Sequence, residues 1–402
     1  MKRRNFLTGA VAITLAEFLA GCETQADLKV KLLKNSIPAQ MMSKFRGELR
    51  SPYNNLSFKP IESLTELFSM LQDWQRKEKQ QSSLFSMLQD WQRKLLLEKQ
   101  QSSINKTENI NIANLVTLGD YWLANAIKQE LIQPFNSESL SGWNKLPEKW
   151  LELVKRNNLG YVDPQGKIWA APYQWGTTLI AYRVDKFKTL GWQPKDWSDL
   201  WRADLKGNIS LLNQAREVIG LTLKKLGKSY NTEDIGQVEN LKSELVQLNQ
   251  QVKFYSSDNY LQSLVIGDTW LAVGWSKDIL PLIRKRQEIA AVVPLSGTAL
   301  WANLWVKPAA SANAETSLTE KWIDFCWRPQ IAQQMSLLTQ TSSPILPEIN
   351  PMELSSEIKN DSLLLPSQEI IEKSEFLTPL ADSTIQQYLK LWQDIRQPVY
   401  IQ

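Results

Sequence analysis

The chain has 402 residues, 43% hydrophobic and 22% charged, so it is long enough to bury one or two sizeable cores. Its formal charge is only +4, and no basic run is interleaved with aromatic residues, which argues against nucleic acid as a partner. The chain contains no histidine, which excludes His-dependent serine and cysteine triads and all histidine metal sites. Seventeen tryptophans are many for this length, and a surplus beside a cleft would suit stacking on a ligand.

The first 22 residues have the pattern of an export signal. A basic Lys-Arg-Arg start precedes an apolar run over residues 6–20, which is too short to span a bilayer. Residues 3–7, Arg-Arg-Asn-Phe-Leu, resemble a twin-arginine signal, and residues 19–22, Leu-Ala-Gly-Cys, resemble a lipobox. We therefore expect Cys22 to carry a lipid and to anchor the mature chain to a membrane.

The first predicted elements are a strand over residues 28–33 and a helix over 39–46. Ligands of α/β sheets bind beyond the carboxyl ends of the strands. Asn35 and Ser36 follow the first strand directly, so we predict that they face a cleft.

An internal repeat comes next. Residues 67–77, Leu-Phe-Ser-Met-Leu-Gln-Asp-Trp-Gln-Arg-Lys, recur identically at 84–94, and each copy predicts an amphipathic helix. On one continuous helix, a shift of 17 residues at about 100° each would turn the second apolar stripe by about 100° away from the first. We therefore expect a break near residues 80–83, or a second helix that packs poorly over solvent. An insertion over 84–103, tolerated on the surface, is favoured over a docking helix for a partner.

Alternating apolar residues predict a strand over 110–118, and a helix is predicted over 122–132. Asp120 and Tyr121 lie between these two elements, at the end of the strand where a ligand loop belongs.

Residues 168–183 are the segment around which the predicted fold is organised. Pro172 suits the start of a strand because it lacks an amide donor, and Gly176 allows a close approach of backbone or ligand. The apolar and β-branched residues that follow predict a central strand. The segment is either a crossover between two compact bodies, which would bring Trp175 to the crevice, or an ordinary buried strand with aromatic neighbours.

Strands and helices alternate over the rest of the chain, which predicts an α/β fold. A strand over 208–212 leads into a helix over 213–226, so Gln214 and Glu217 are predicted at the mouth of the cleft. Trp275 ends a strand over 269–275, and Trp301 and Asn303 lie in a strand over 300–306. The other predicted elements are a helix over 237–251, strands over 252–255 and 290–294, and helices over 260–266, 320–325, 330–338 and 384–395. Cys326 is predicted to be a buried thiol without a disulfide partner.

Four motifs occur in an order that resembles a known family. They are Pro-Tyr-Gln-Trp-Gly-Thr-Thr at 172–178, Trp-Ser-Asp-Leu-Trp at 197–201, Leu-Lys-Gly at 205–207 and Ala-Arg-Glu-Val at 215–218. Together they resemble the extracellular solute-binding proteins of ABC importers, in particular the spermidine/putrescine-binding type. The similarity runs from about residue 28 to residue 345 and is densest over 168–308.

The resemblance implies a two-lobed α/β fold of the type 2 periplasmic binding proteins, with hinge crossovers and a ligand cleft. The resemblance implies that the protein delivers a small solute to ABC permease subunits. We expect an exported, periplasmic monomer without cofactor or metal, anchored at Cys22 through its lipobox-like run. We divide the chain accordingly into a signal over 1–22, the first part of lobe 1 over 27–175, lobe 2 over 176–298, and a return to lobe 1 with the C-terminal helices over 299–402.

Ten residues are predicted to bind the ligand, namely Asn35, Ser36, Asp120, Tyr121, Trp175, Gln214, Glu217, Trp275, Trp301 and Asn303. Glu217, Trp275 and Trp301 fall where the polyamine-binding members place a carboxylate and two aromatic walls, which suit a cation. Gln214 and Asn303 fall where those members have acids. Since a buried ammonium needs a partner, we expect a small polar or singly cationic, polyamine-like solute.

Two other functions remain as alternatives. One is a scaffolding lipoprotein whose cleft has lost its ligand. The other is an exported glycosidase that uses a pair of carboxylates, although nothing in the sequence pairs Asp120, Glu217, Asp258 or Asp268. We predict that the protein is not an enzyme.

Overall fold

The computed structural model describes residues 27–49, 55–95, 112–311 and 316–396, and for residues 82, 84–95 and 316 the backbone alone. The strands within these ranges are β1 (Leu28–Leu33), β2 (Leu56–Ile61), β3 (Leu115–Gly119), β4 (Ile132–Gln133), β5 (Lys155–Arg156), β6 (Lys167–Ile168), β7 (Ala171–Arg183), β8 (Ile209–Leu211), β9 (Val252–Tyr255), β10 (Leu271–Trp275), β11 (Ile289–Val292), β12 (Ala299–Pro308) and β13 (Glu375–Phe376).

The helices are α1 (Ala39–Glu48), α2 (Leu64–Leu95), α3 (Asp120–Lys128), α4 (Glu148–Val154), α5 (Val184–Leu190), α6 (Ala215–Lys225), α7 (Leu241–Gln251), α8 (Tyr260–Ile266), α9 (Ser276–Ile283), α10 (Thr316–Cys326), α11 (Pro329–Thr339), α12 (Ser356–Lys359), α13 (Gln368–Lys373) and α14 (Asp382–Arg396). The bounds of β1, β9 and α8 are those predicted from the sequence. No helix within the described residues is long and apolar enough to cross a membrane.

The long strand β7 links the two lobes of the fold. Its first half pairs antiparallel with β12 in the order β2-β1-β3-β12-β7, and its second half pairs with β10 in the order β7-β10-β8-β9. All of its residues except Arg183 are buried, as expected for a central strand covered on both faces. One hydrophobic core surrounds the first half of β7 and continues over one face of its second half, and a second core covers the other face of the second half. With the two strand orders on β7, this confirms the predicted two-lobed α/β fold.

The described chain passes between the two cores at several places, and three of them connect the two strand orders. The first is β7, and the second is the start of β12, where Ala299 packs in the second core and Leu300 in the first. The third follows β13, with Phe376 in the first core and Leu380 in the second. The exact lobe boundaries drawn from the sequence remain a proposal.

The last helix, α14, belongs to the second core. Its residues Tyr388, Trp392 and Ile395 pack there, against α6 and α7. The prediction that grouped 299–402 with lobe 1 is therefore wrong for this helix. A helix after the third crossover can cover either lobe, and the sequence pattern does not say which.

Of the two arrangements predicted for the repeated segment, the break near residues 80–83 is wrong, because α2 runs without interruption from Leu64 to Leu95. The other, a second helical copy that packs poorly over solvent, stays a prediction. Residues 78–83, Glu-Lys-Gln-Gln-Ser-Ser, contain neither glycine nor proline, so nothing in the backbone ends the helix there. Asp120 and Tyr121, which were predicted in a loop, instead form the first turn of α3. Cys326 is buried in α10, as predicted.

Candidate ligand cleft

Glu217, the third residue of α6, is buried at the junction of three elements. Its carboxylate accepts a hydrogen bond from Trp275 Nε1 at 3.1 Å. The hydroxyl of Thr178 on β7 lies 3.2 Å from both carboxylate oxygens. The amides at the start of α6 also favour a negative charge at this position. The fold therefore holds one carboxylate in a fixed orientation.

This carboxylate has no ion-pair partner among the described residues. The neighbouring Arg216 is held elsewhere, since its guanidinium donates to the carbonyl of Thr378 at 3.1 Å and to Asn231 Oδ1 at 2.8 Å. Burial raises the pKa of Glu217 to about 6, against the opposing effects of Trp275, Thr178 and Arg216. An incoming cation would favour the ionised form and lower the pKa of Glu217 again.

Trp275, at the end of β10, forms an aromatic surface beside Glu217. Its ring is edge-on to Tyr260, with centroids 6.4 Å apart. Lys277, in the first turn of α9, holds its Nζ 5.1 Å from the Trp275 ring centroid. Because the face of an indole attracts cations, Trp275 already acts as a cation platform within this chain.

Trp301 lies over Gly176, where β12 and β7 pair. A Cβ at Gly176 would lie 2.5 Å from the Trp301 ring and 2.2 Å from Ser276 Oγ, so only glycine fits. Ser276 Oγ in turn accepts a hydrogen bond from the Thr177 amide at 3.1 Å. Trp301 Nε1 and Thr177 Oγ1 are buried and have no hydrogen-bond partner in the described part of the chain. Such atoms need a polar partner, which a ligand can supply.

Asn303 belongs to an uncharged network inside the first lobe. Its Nδ2 donates to Gln174 Oε1 at 3.2 Å, and Gln174 Nε2 donates to the Ser36 carbonyl at 2.7 Å. The Ser36 hydroxyl accepts a hydrogen bond from Tyr173 at 3.1 Å. In contrast, Gln214 is half-buried at the N-cap of α6 and makes no capping hydrogen bond with its side chain.

Asp120 brings a second acid to β12. Its carboxyl accepts hydrogen bonds from the backbone amides of Ala302 and Tyr121. Burial of this carboxyl raises the pKa of Asp120 to about 7, although these bonds and the charge of Arg156 oppose the shift. Ala302 lies between Trp301 and Asn303, so Asp120 reaches the same part of the cleft and is only partly ionised at neutral pH.

The sequence profile of one family, described as bacterial extracellular solute-binding protein, matches residues 111–374. This chain belongs to that family. A spermidine/putrescine-binding periplasmic protein of Escherichia coli is 30% identical over 275 residues, which cover 67% of this chain and 74% of the relative. The protein of the same description from Salmonella typhimurium is 28% identical over 282 residues, covering 69% and 76%.

The fold is similar to that of a solved spermidine/putrescine ABC transporter substrate-binding protein from Streptococcus pneumoniae. The TM-score is 0.72 at 20% identity, and the match covers 92% of this chain and 98% of the other. At this identity the likeness shows the fold alone.

The structure of this solute-binding protein brings together most of the predicted ligand residues. Glu217, Trp275 and Trp301 converge around Gly176 and Ser276, and Asp120 adjoins them through β12. Ser36 and Asn303 come together through Gln174. Tyr121 is 67% exposed next to Asp120. Their contact with a ligand remains a proposal.

The prediction for Trp175 is wrong. Its indole is fully buried in the first core, donates from Nε1 to the Ser343 carbonyl at 3.0 Å, and packs edge-on against Trp150. Side chains alternate along a strand, so Trp175 and Gly176 face opposite sides of β7. Asn35 is exposed in a left-handed turn after β1, with φ 64°.

Three residues that contact the candidate ligand residues were missed from the sequence. Thr178 bonds to Glu217, Ser276 fills the space beside Gly176, and Lys277 covers Trp275. Alternation along β7 could have found Thr178, which lies two residues after Gly176 on the same side. No local signal marks Ser276 or Lys277, because their roles depend on how α9 packs.

Proposed function

We propose that this solute-binding protein captures a small polar solute with one cationic group and delivers it to an ABC permease. The observation that carries the proposal is the Glu217 carboxylate, buried without an ion-pair partner among the described residues and bonded to the Trp275 indole. A ligand ammonium beside Glu217 would be its counter-ion, and the tryptophan faces suit such a group. The relatives named for spermidine and putrescine support an amine as the ligand.

The charges around the cleft favour a ligand with few ammonium groups. The candidate cleft holds two buried carboxyls, Glu217 and Asp120, and burial raises the pKa of Asp120 to about 7, so that it is only partly ionised at neutral pH. Lys277 adds a positive charge over Trp275. An ammonium left without a partner in a closed cleft costs about 1–3 kcal/mol or more. Each surplus charge should therefore weaken binding by roughly tenfold or more.

Mass spectrometry of ligand released from the natively purified protein tests the proposal directly. Titration calorimetry with a monoamine, a γ-amino acid, putrescine and spermidine then ranks the charge states. We expect the singly cationic compounds to bind most tightly and to lose affinity in Glu217→Gln. If no cationic compound binds, or if the released ligand carries no cationic or donor group, the proposal is wrong.

We propose further that the protein is a monomeric lipoprotein on the periplasmic side of a membrane, with its anchor at Cys22, and that it catalyses no reaction. The Leu-Ala-Gly-Cys run supports the anchor, although Cys22 lies outside the described residues. Membership of a solute-binding family supports the permease partner and the absence of turnover.

A further inference from the structure

The first copy of the repeat, residues 67–77, occupies a defined site on the first lobe. Leu67, Phe68, Leu71 and Trp74 form the buried stripe of this copy. Phe68 stacks on Trp122 of α3 with ring centroids 4.4 Å apart. The edge of the stripe is fixed by Gln72, whose Nε2 donates to Gln129 Oε1 at 2.9 Å. We call this surface of β1, β3 and α3 the repeat seat.

The chain carries the same sequence a second time, at residues 84–94. Because α2 is continuous, this second copy lies about 25 Å further along the helix axis and is turned by about 100°. It therefore cannot use the repeat seat while the first copy occupies it. Every side chain with which residues 67–77 contact the seat nevertheless has an identical counterpart in 84–94.

We propose that the repeat seat is a docking surface for either copy, and that residues 84–94 occupy it when the first copy is disabled. The first copy is favoured by contacts that lie outside the repeat. Leu64 packs beside Gly119, and the Ser63 hydroxyl accepts a hydrogen bond from the Glu66 amide at 3.1 Å. The positions equivalent to Ser63 and Leu64 are Gln80 and Gln81, which cannot replace an apolar contact. The second copy is thus a reserve helix.

The connections allow this exchange within one molecule. Leu64 lies beside Gly119 at the end of β3, so the first copy runs back toward the start of that strand. The C-terminal end of the first copy therefore lies toward the start of β3. With 84–94 seated, residues 62–83 form a surface loop and residues 95–111 make the return connection. Seventeen residues can span up to roughly 55 Å, well beyond the length of β3.

Cross-linking can show which copy is seated. Two pairs of cysteines are introduced, each in a Cys22→Ser background, and are cross-linked with a short bismaleimide. The pair Gln72→Cys and Gln129→Cys reports that the first copy is seated. The pair Gln89→Cys and Gln129→Cys reports that the second copy is seated. In otherwise unaltered protein only the first pair should react rapidly. Leu71→Asp buries a carboxylate in the seat, so the intramolecular 89–129 rate should rise at least about tenfold and the 72–129 rate should fall.

The matched control is Leu88→Asp, which alters the second copy at the equivalent position and should leave the 72–129 rate and the melting temperature unchanged. Leu71→Asp with Leu88→Asp should lose far more stability than the two single changes together, because no intact copy remains. Phe68→Ala, a milder change that removes the stack on Trp122, should raise the 89–129 rate by a smaller factor.

An 89–129 rate that is unchanged by both Leu71→Asp and Phe68→Ala would overturn the proposal. Cross-links that form only between two molecules would overturn the intramolecular exchange. Stability losses that simply add in the double variant would also contradict it.

Discussion

Replacing Glu217 by glutamine should stabilise the protein without ligand and at the same time weaken ligand binding. The glutamine keeps the shape of the side chain, and its carbonyl can still accept the hydrogen bonds from Trp275 Nε1 and Thr178 Oγ1. The change removes the buried charge and replaces one carboxylate oxygen by an amide N–H donor, from which Thr178 Oγ1 can accept. The buried site thus opposes an unpaired carboxylate, whereas a cationic ligand requires it.

The magnitude follows from the pKa of Glu217, which burial raises from an ordinary 4.5 to about 6. Between these values the folded state binds more protons than the unfolded state, so the free energy of unfolding falls as pH rises through about 6. The difference between the two pKa values corresponds to about 2 kcal/mol above pH 6, which is the most that Glu217→Gln can recover. Loss of one partner from a buried ion pair costs about 3–5 kcal/mol, so ligand affinity should fall by more than about a hundredfold.

The assay is denaturant unfolding of the protein without ligand at pH 5 and pH 8, combined with calorimetry of the best ligand. The difference in stability between Glu217→Gln and the unaltered protein should appear at pH 8 and shrink toward pH 5. Glu369→Gln, at a side chain that is 75% exposed and pairs with Lys373, is the matched control and should show neither effect. A Glu217→Gln variant with unchanged stability at pH 8 and unchanged affinity would refute the reasoning.

Three further predictions follow from the cleft, the repeat and the signal. Gln214→Asp should raise spermidine affinity at least about tenfold, because the half-buried side chain at this N-cap position makes no capping hydrogen bond that would compete. Asn303→Asp should not raise the affinity, because it places a carboxylate against Gln174 Oε1. Submicromolar spermidine binding by the unaltered protein, measured by calorimetry, would contradict this. Deleting residues 84–103 should change the free energy of unfolding by no more than about 1 kcal/mol, and a deletion that unfolds the protein would disprove it. Cys22→Ser should abolish lipid labelling and release the protein from the membrane fraction, so unchanged retention there would count against the anchor.

The sequence by itself determined the fold class and much of the site. Strand and helix periodicity gave β1, β9 and α8 their bounds, since these segments are short and well bounded by turn residues. Motifs with a fixed order indicated the family, and with it the positions of Glu217, Trp275 and Trp301. These three residues lie at the ends of elements or on β12, where the local pattern already constrains the direction of the side chain.

Contacts between distant elements could be decided only by the tertiary structure. The sequence did not show whether Trp175 faces the cleft or the core, because this depends on which side of β7 the first lobe covers. In the structure, the register with β12 places Gly176 against Trp301, and Trp175 packs against Trp150 on the opposite side. The sequence pattern also did not determine which of the two lobes α14 covers. The raised pKa of Glu217 has the same origin. The Glu217 carboxylate is buried because Thr178 and Trp275 pack against it. It has no ion-pair partner among the described residues because Arg216 instead donates to the Thr378 carbonyl.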